Sequence, residues 1–578
     1  MLKFNPPEET SEQPEGSGCQ LPELDPWDPS IRLWVKDWPH PYDKKAGIED
    51  LLYVTMDTLH FNTTWLERLK LDRKDIACNY SYIGAGHSRT SELPFEEDVL
   101  TLLPNYNSIW TRCVHGLKVL STMTLFYVPP AISEFNQTGD GVGAYSKSNF
   151  SRKILGKRYS VTLLIIDSLS QMNIHRSLPK SLAQAEAMGG ILMSGHHKIG
   201  ENSVPNMMGM MTGDKLYWTP GWVTSRNKTP ETLPMIIGMF RDWGWSTVYF
   251  EDMIHWVGPA LKYDVKVANP WTTTYNDVMW YLRGSLAHNN PIKTISDMHL
   301  AYKELPSFLH IHLSEYLHDN LNMAKNYDAD LAAMLIYLYQ EKAVEDTFVL
   351  LMGDHGYRMQ GFTNLEQGKI ENNMPGLIVI PPRDLQAQHP DWVKNLQANA
   401  EVLTSHWDIH HMFREILGGA GGAEEVAKVY SHLKVPGASL LSPLAKRSCT
   451  AAGIPLEYCS CPSGHRTLDP KRVQDIAVAV LKDINIFLQP LWGCRKLRLT
   501  NITGAVIKTE GQTVVIEAVL ATTIPPVVFR LRLSNRGNAS SVSLARSDRY
   551  DSTSRCVPKT EMGARPYCIC PTKAKLRN

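Results

Sequence analysis

Residues 160–167 read SVTLLIID, an almost unbroken apolar run that ends in an acid. A strand without polar alternation is covered on both faces, which is typical of a central strand in a parallel sheet flanked by helices. The same texture returns in residues 347–352, TFVLLM, which are followed by Gly-Asp354-His355-Gly. These two stretches predict an α/β core and place polar groups beyond the carboxyl ends of its strands, where such sheets bind ligands.

Further apolar runs predict the other strands of this core, at Trp245–Phe250, Ser307–His312 and Gly376–Ile380. Helical periodicity predicts amphipathic helices at Ala324–Glu341 and Trp407–Leu417. Glycines between residues 418 and 422 are expected to end the second helix.

The chain has 578 residues, 43% of them hydrophobic, which is enough for two or three domains. Residues 1–18 are rich in Pro, Glu, Ser and Gly and predict a disordered tail. Residues 19–155 carry short apolar runs between turn residues, which favours a mixed or β N-terminal region. Residues 156–443 form the predicted catalytic core of α/β type, and residues 444–578 a cysteine-rich β domain.

The charge balance disfavours two kinds of partner. Lys plus Arg equals Asp plus Glu at 59 each, so no net field draws the chain to nucleic acid or to an anionic membrane. No uninterrupted apolar stretch is long enough to cross a bilayer, and the N-terminus lacks the apolar core of a signal peptide. We therefore expect no nucleic-acid partner and no transmembrane segment, and we interpret the chain as an ectodomain given without its leader or anchor.

The ten cysteines cluster at the two ends of the chain, with none between Cys113 and Cys449. Cys-x-Cys occurs twice in the tail, but zinc knuckles usually space their cysteines by two to four residues, so we favour disulfides. Disulfides need an oxidising compartment. Seven glycosylation sequons agree with a secreted or lumenal glycoprotein, at Asn62, Asn79, Asn136, Asn149, Asn227, Asn501 and Asn538.

Polar residues follow predicted strands at three places: Asp167, the pair Asp354-His355, and Glu315 with His318. A lone acid such as Asp167 more often caps the next helix than binds a metal. The adjacent Asp-His pair is a stronger signal, because carboxylate and imidazole together suit Zn²⁺ or Mn²⁺. We expect Asp167, Asp354 and His355 to hold a divalent metal.

Residues 200–213 read GENSVPNMMGMMTG and add a hydroxyl group at Ser203. A strand ending in Asp, then Ser/Thr-x-Pro-Asn, then Asp-His-Gly, in that chain order, resembles the alkaline phosphatase superfamily. Within it, IIDSLS (165–170), GDHGYRM (353–359) and QGKIE (367–371) look most like a metazoan family with a sulfatase-like domain of unknown function. The similarity spans nearly the whole chain and implies an alkaline phosphatase-like core.

The resemblance implies a serine nucleophile. The hydroxyl group of Ser203, activated by a metal, would attack phosphorus or sulfur and form a covalent ester. Asn206 matches the family position that donates a hydrogen bond to a non-bridging oxygen of the substrate. A turn residue after Pro205 explains Asn206 equally well. The expected substrate is an anionic ester, either a small molecule or one linked to a glycan or a lipid.

A second metal in this superfamily usually takes an Asp four residues before a His, and a late His. Here Ser314 stands four residues before His318, with Glu315 one step nearer, so either Glu315 replaces the acid or the second site is absent. His406 and His410 are both candidates for the late ligand. Each is also explained as a surface or capping histidine of a helix, so the chain is expected to hold one or two ions.

Two other functions compete with a phosphoester hydrolase or transferase. Sulfatases of this superfamily oxidise the Cys or Ser of Cys/Ser-x-Pro-x-Arg, but Met207 stands at the arginine position, which disfavours a sulfatase. A non-catalytic extracellular binding protein on the same fold is the other alternative. The joint presence of Ser203 and of all three expected ligands favours the enzyme.

Three basic residues, His196, His197 and Lys198, precede the Ser203 segment. Such a triplet either contacts an anionic substrate or forms an exposed basic turn. The sequence is consistent with both interpretations.

Overall fold

The structure of the chain is a computed structural model. Along the chain it has an antiparallel part, a mostly parallel part and a second antiparallel part. The residues that it describes are 18–36, 51–55, 57–83, 89–103, 106, 108–126, 156–214, 235–251, 274–275, 291–303, 305–314, 316–318, 320–359, 361–431, 434–461, 466–491, 493–510, 513–522, 527–536, 539–546, 553–558, 564 and 567–571.

The N-terminal part holds two small antiparallel sheets and a short helix. Its elements are β1 (Leu52–Thr55), β2 (Thr58–Phe61), α1 (Thr63–Leu69), β3 (Ile76–Tyr82), β4 (Leu93–Phe95), β5 (Val99–Thr101), β6 (Ser108–His115) and β7 (Lys118–Phe126). The strand orders are β1-β2-β5 and β4-β3-β6-β7. Cys78 and Cys113 lie opposite one another on β3 and β6 and form a disulfide.

A seven-stranded sheet forms the centre of the molecule. The strands of this region are β8 (Ser160–Ile166), β9 (Ile191–Leu192), β10 (His196–His197), β11 (Ser246–Glu251), β12 (Thr274–Tyr275), β13 (Ser307–Leu313), β14 (Thr347–Met352), β15 (Leu377–Ile380) and β16 (Thr404–Ser405). Of these nine, β10 and β16 form a separate two-stranded sheet. The strand order is β12-β11-β13-β8-β14-β15-β9, parallel from β12 to β14 and antiparallel at β15 and β9. Every residue of β8, β13 and β14 is buried, which confirms the predicted mostly parallel α/β sheet.

Helices cover both faces of this sheet. They are α2 (Gln171–Ser177), α3 (Pro179–Ala187), α4 (Ser203–Thr212), α5 (Ile236–Asp242), α6 (Pro291–Tyr302), α7 (Lys325–Gln340), α8 (Glu366–Asn373), α9 (Leu385–Gln388), α10 (Pro390–Asn399), α11 (His406–Leu417) and α12 (Ala423–Val429). Successive strand residues point to opposite faces. Phe308 packs with Phe240 and Phe413 on the α5 and α11 side, whereas Leu309 belongs with Ile295 of α6 to the other cluster.

The glycines after α11 do not stop the helical path. Gly418–Gly422 form a turn of π-helix that leads into α12, and only Gly421, with φ of 102°, leaves the helical conformation. The helix α11 ends at Leu417, as predicted, but the chain then continues in a further helix.

The C-terminal part is an antiparallel sheet with one long helix packed on it. Its elements are β17 (Arg466–Thr467), α13 (Lys471–Leu488), β18 (Leu499–Glu510), β19 (Thr513–Thr522), β20 (Val527–Arg536) and β21 (Ala539–Arg546). Val473, Ala477 and Leu481 of α13 pack with Ile516 and Leu531 of the sheet. The helix α13 was not part of the predicted β domain.

All ten cysteines form disulfides, which confirms the preference for disulfides over zinc. Five such bonds indicate an oxidising compartment. One of them joins the N-terminal segment to the tail, 442 residues away. The pairs are Cys19–Cys461, Cys78–Cys113, Cys449–Cys459, Cys494–Cys568 and Cys556–Cys570.

Among the described helices, none has both the length and the apolar character that crossing a bilayer requires. Of the sequons, Asn79 and Asn501 are exposed, whereas the Asn62 side chain is buried and accepts a hydrogen bond from the Trp65 amide at the start of α1. Asn62 is therefore a helix cap. The remaining sequons, Asn136, Asn149, Asn227 and Asn538, lie outside the described residues.

Candidate metal and nucleophile site

Two neighbouring strands bring the predicted ligands together. β8 and β14 run parallel and adjacent, so Asp167 after β8 and Asp354-His355 after β14 lie at the same edge of the sheet. All three residues are buried, and one ligand atom from each lies within 4.8 Å of the others. The strand ends thus gather two carboxylates and one imidazole around one enclosed space.

In each carboxylate, one oxygen accepts hydrogen bonds from the protein and the other accepts none in the described structure. Asp354 Oδ1 accepts hydrogen bonds of 2.9 Å from the backbone amides of Ser168 and His355, and Asp167 Oδ1 accepts one of 2.7 Å from Ser168 Oγ. Both Oδ2 atoms are buried and have no hydrogen-bond partner within the described structure. An unpartnered buried carboxylate oxygen is costly, and a cation between the two would satisfy both.

His355 presents a fixed nitrogen to the same space. Its Nδ1 lies 2.9 Å from the carbonyl oxygen of Gly356, which can only accept, so Nδ1 donates this hydrogen bond and Nε2 is the ring nitrogen on the side of Ser203 and the carboxylates. Nε2 lies 3.6 Å from Asp354 Oδ2 and 3.9 Å from Asp167 Oδ1. A hydrogen bond of this kind on the far nitrogen is the usual way to orient a histidine ligand.

These atoms fit a divalent ion. Ligands held at ~2.1 Å by a tetrahedral metal lie about 3.4 Å apart, close to the separations between His355 and the two carboxylates. Burial by itself raises the pKa of Asp354, but the nearby rings of His355 and His312, together with hydrogen bonds to the carboxylate, outweigh burial and bring the pKa to about 2. Asp354 is therefore an anion, as a ligand must be.

Two glycines allow the chain to pass closely on both sides of the Asp354-His355 pair. A Cβ atom on Gly353 would lie 2.1 Å from the carbonyl oxygen of Leu169, and one on Gly356 would lie 2.0 Å from that of Glu371. Neither contact leaves room for a side chain. The pair is thus held between the loop after β8 and the helix α8.

Ser203 is the first residue of α4, and its side chain faces the cluster. Its Oγ atom lies 3.5 Å from His355 Nε2, and the residue is buried. The preceding residue, Asn202, makes no side-chain hydrogen bond to the helix. No side-chain cap from Asn202 therefore covers the N-terminal end of α4 beside the hydroxyl, and the positive end of the helix dipole can stabilise negative charge there.

Asn206 has contacts that differ from the role implied by the resemblance. Its Nδ2 donates both hydrogens to backbone carbonyls, to Gly200 at 3.1 Å and to Asn202 at 2.9 Å. Its Oδ1 accepts from the amides of Ile199 and Gly200 at 2.8 and 2.7 Å. Both amide hydrogens are thus used within the chain, and Asn206, a residue of α4, holds the loop before Ser203. Its contact with a substrate oxygen stays a prediction.

His312 is a fourth group at the cluster that the sequence analysis did not single out. It lies on β13, is fully buried, and places Nε2 4.0 Å from Asp354 Oδ2. Neither ring nitrogen has a hydrogen-bond partner among the described residues. The available signal was a polar residue inside the otherwise apolar run FLHIHL.

Of the two late histidines, His406 lies at the cluster and His410 does not contact it through any described interaction. His406 Nδ1 is 3.4 Å from the carbonyl oxygen of His197, and its Nε2 has no hydrogen-bond partner in the described structure. Burial lowers the pKa of His406, while the nearby Asp354 raises it and the nearby His355 lowers it by smaller amounts. His410 Nδ1 bonds to the carbonyl oxygen of Met210 at 2.9 Å, and its ring packs on Tyr430. Both histidines are fully buried, so the surface interpretation is wrong for each.

The remaining predicted ligands lie after β13. His318 is half-buried, and its backbone amide donates to the Ser314 carbonyl at 3.1 Å. Burial lowers the pKa of His312, and the nearby ring of His318 adds a smaller lowering. Glu315 lies outside the described residues. His318 is thus near the edge of the cluster, next to His312.

The basic triplet before Ser203 is not an exposed turn. His196, His197 and Lys198 are fully buried, and the first two form β10. His197 Nε2 accepts a hydrogen bond from the Ser460 amide at 3.3 Å, which fixes the cysteine-rich tail to the core. The prediction of an exposed basic turn was wrong, because the cysteine-rich tail packs on the surface of the core that carries these three residues.

Solved structures similar to the chain include a protein of the alkaline phosphatase superfamily from Vibrio parahaemolyticus, with 11% identity, 71% of this chain and 85% of that chain covered, and a TM-score of 0.32. The phosphonate monoester hydrolase of Silicibacter pomeroyi has 12% identity, coverage of 66% and 90%, and a TM-score of 0.35. The lipoteichoic acid synthase LtaP of Listeria monocytogenes has 13% identity, coverage of 48% and 76%, and a TM-score of 0.33. These values are too low for the matches to decide a function.

No curated protein matches the chain in sequence. One family model does match, over residues 49–258 and 268–503, which include all of the candidate site residues. This match confirms the resemblance to a family with a domain of unknown function. The chain belongs to the family described as protein of unknown function DUF229.

Proposed function

We propose that the protein is a metal-dependent hydrolase or transferase that acts on a phosphoester or phosphodiester through Ser203. The observation that carries this proposal is the convergence of the Ser203 hydroxyl with Asp167, Asp354 and His355 in one buried space. A hydroxyl beside two carboxylates and an imidazole is the arrangement of an activated nucleophile.

The proposed reaction uses these groups in two steps. Ser203 Oγ forms a bond to phosphorus while the bond from phosphorus to the leaving oxygen breaks, and the hydroxyl proton ends on the leaving group. Water then cleaves the serine ester, or an acceptor alcohol takes the phosphoryl group in the transferase case. The uncapped N-terminus of α4 stabilises the charge that develops on the phosphoryl oxygens.

Asp167, Asp354 and His355 would hold the ion, which we propose to be Zn²⁺ or Mn²⁺. When bound, such an ion lowers the pKa of a serine hydroxyl and offsets phosphoryl charge. His312, His406 and His318 are the candidates for a second ion, because each has a ring at or beside the cluster. The proposed substrate is an anionic ester, free or linked to a glycan or lipid.

A formylglycine sulfatase is disfavoured by the residue that follows Asn206. Met207 stands where those sulfatases carry an arginine, and its side chain is buried in the core. We also propose that the protein is secreted or lumenal, since its disulfides need an oxidising environment.

The direct test combines metal analysis with hydrolysis of an aryl phosphodiester. We expect bound zinc or manganese in the wild type, loss of metal in Asp354→Asn, and loss of turnover but retention of metal in Ser203→Ala. Ser170→Ala is the matched control for loss of a buried serine hydroxyl, because Ser170 Oγ is buried in the loop after β8 and bonds to Glu371 at 2.8 Å. Absence of metal and of turnover on phosphate and sulfate esters would overturn the proposal and favour the binding protein.

A further inference from the structure

A second polar cluster lies between the core and the tail, and nothing in the proposed reaction uses it. We call it the basic pocket, and its residues are Lys198, Glu201, Arg358, Tyr458, Arg530 and Arg532. Lys198, Arg530 and Arg532 are buried, and Glu201 is partly exposed. Because β20 of the tail supplies both Arg530 and Arg532, the pocket exists only when tail and core are in contact.

The aromatic ring of Tyr458 lies between two of the cations. Lys198 Nζ and the guanidinium of Arg532 are each 4.9 Å from the centre of this ring. Arg532 Nη1 donates to Glu201 Oε2 at 2.7 Å and lies 3.3 Å from the Tyr458 hydroxyl. Arg530 Nη2 donates to the Thr363 carbonyl at 3.0 Å. The cations are therefore held in place by ring contacts and backbone carbonyls.

Positive charge is in excess in this pocket. The charges acting on Lys198 are, in decreasing order, the carboxylate of Glu201 and the guanidinium groups of Arg532, Arg530 and Arg358, so three cations face one anion. Lys198 Nζ is fully buried and has no hydrogen-bond partner in the described structure. Burial, together with these cations, lowers the pKa of Lys198 to about 7. A buried ammonium group without a hydrogen-bond partner is destabilising, and an anion in the pocket would offset this effect.

The pocket is fixed next to the nucleophile. Glu201 precedes Ser203 by two residues, and two residues span at most about 7 Å of chain. The side chain of Asn206 bonds to the backbone of Ile199, Gly200 and Asn202, so this connection has one conformation. The backbone of Glu201, one residue of the pocket, is therefore held within about 7 Å of the backbone of Ser203.

We propose that the basic pocket binds a second tetrahedral oxyanion of the substrate, a phosphate or sulfate group separate from the ester that Ser203 attacks. Guanidinium groups pair with such oxyanions through two parallel hydrogen bonds, and an ammonium adds a point charge. The assignment of this anion to the same substrate rests on the proposed function. Binding of the oxyanion itself does not rest on it.

The first experiment measures binding without the reaction. Titration calorimetry with inorganic phosphate, and separately with inorganic sulfate, is done on Asp354→Asn, in which the metal site is impaired. We expect saturable binding that becomes at least tenfold weaker when Lys198→Met is added. Lys180→Met is the matched control, since Lys180 is exposed on α3, and it should leave the affinity unchanged.

Folding of the variants is checked in the same series. Lys198→Met replaces an unpartnered buried cation by an apolar chain of similar length, so its melting temperature without phosphate should equal or exceed that of its parent. A lower melting temperature with unchanged phosphate affinity would show a structural lysine and overturn the proposal. Absence of saturable binding in all variants would also overturn it.

The second experiment tests the link to the substrate. For an aryl phosphodiester with and without an additional phosphate group, and for the same pair with sulfate, we compare kcat/KM. Lys198→Met should reduce the preference for the doubly anionic ester at least tenfold, whereas Lys180→Met should not. If the wild type hydrolyses neither ester but the calorimetry shows phosphate or sulfate binding that depends on Lys198, the proposed function is wrong and the anion site is supported.

Discussion

The two aspartates of the candidate site divide their oxygens in the same way. In each, Oδ1 is bound to the protein, and Oδ2 is buried without a hydrogen-bond partner in the described structure. Ser168 makes this possible for both, because its amide reaches Asp354 and its hydroxyl reaches Asp167. To do so it adopts a left-handed conformation with φ of 63°, which is uncommon for a serine and typical of strained functional positions.

His312 should contribute to metal affinity. We expect His312→Gln to weaken zinc binding about 10- to 100-fold, because it removes a nitrogen 4.0 Å from Asp354 Oδ2. His310→Gln is the control, since His310 is equally buried on the same face of β13 but stacks on Tyr249. Equal effects of both variants, measured by competition with a chelating dye, would show that His312 serves only in packing.

Asn206 should act on the rate through the position of the Ser203 loop. We expect Asn206→Ala to lower kcat about 100-fold and stability by about 2 kcal/mol, with metal content unchanged. Asn399→Ala is the control, because Asn399 makes similar bonds to Leu440, Ser442 and Leu444 away from the site. An equal rate loss in both variants would mean that stability alone sets the effect.

The sequence predicted the residues at strand ends better than the residues inside strands. Asp167 and Asp354 follow apolar runs, so a reader of the sequence can see them as candidate ligands. His312 lies within a strand that is buried on both faces, and a histidine there looks like core packing. Asn206 was ambiguous because its contacts depend on how the loop of residues 199–202 folds back.

At the scale of elements, the loop Gly353-Asp-His-Gly356 is confined by its two glycines. We expect Gly353→Ala to destabilise the core by about 3 kcal/mol, because a Cβ there would lie 2.1 Å from the Leu169 carbonyl oxygen. Gly419→Ala is the control, because its Cβ would meet only Trp392 at 3.5 Å. Urea denaturation compares the two, and similar losses would show that the close approach is relaxed easily.

The sequence predicted strands correctly where every residue is buried, and helices where apolar residues recur with helical spacing. The continuous apolar runs of β8, β13 and β14 identified central strands, and the periodicity of α7 and α11 identified helices. The direction of β15 could not be read, since a buried strand looks the same in either orientation. The helix α13 was missed because the cysteine spacing and the alternating strands around it suggested an all-β tail.

At the scale of the whole molecule, buried neutral histidines make stability depend on pH. Burial lowers the pKa of His299 and of His197 to about 4 in the folded state, from about 6.5 when unfolded. Below pH 6.5 the unfolded chain binds more protons than the folded one, so stability falls as the pH falls. The loss from pH 7 to pH 5 is about 2 kcal/mol for each histidine.

Urea denaturation at the two pH values tests this dependence. His299→Gln should lose about 2 kcal/mol less than the wild type on acidification. Thr162→Val removes the hydrogen-bond partner at 3.1 Å but keeps the histidine, so it should keep the wild-type pH dependence. An unchanged pH dependence in His299→Gln would mean that the ring gains access to water and ionises in the folded protein.

The disulfide between Cys19 and Cys461 can form only after most of the chain has been synthesised. At ribosomal speeds of 5–20 residues per second, the 442 residues between the two cysteines take roughly 20–90 s to synthesise. During that interval Cys19 has no native partner, and the thiols of Cys78 and Cys113 are the first with which it could form a non-native disulfide. Maturation of this chain therefore finishes after translation, and a disulfide isomerase that frees Cys19 from an early partner would speed it.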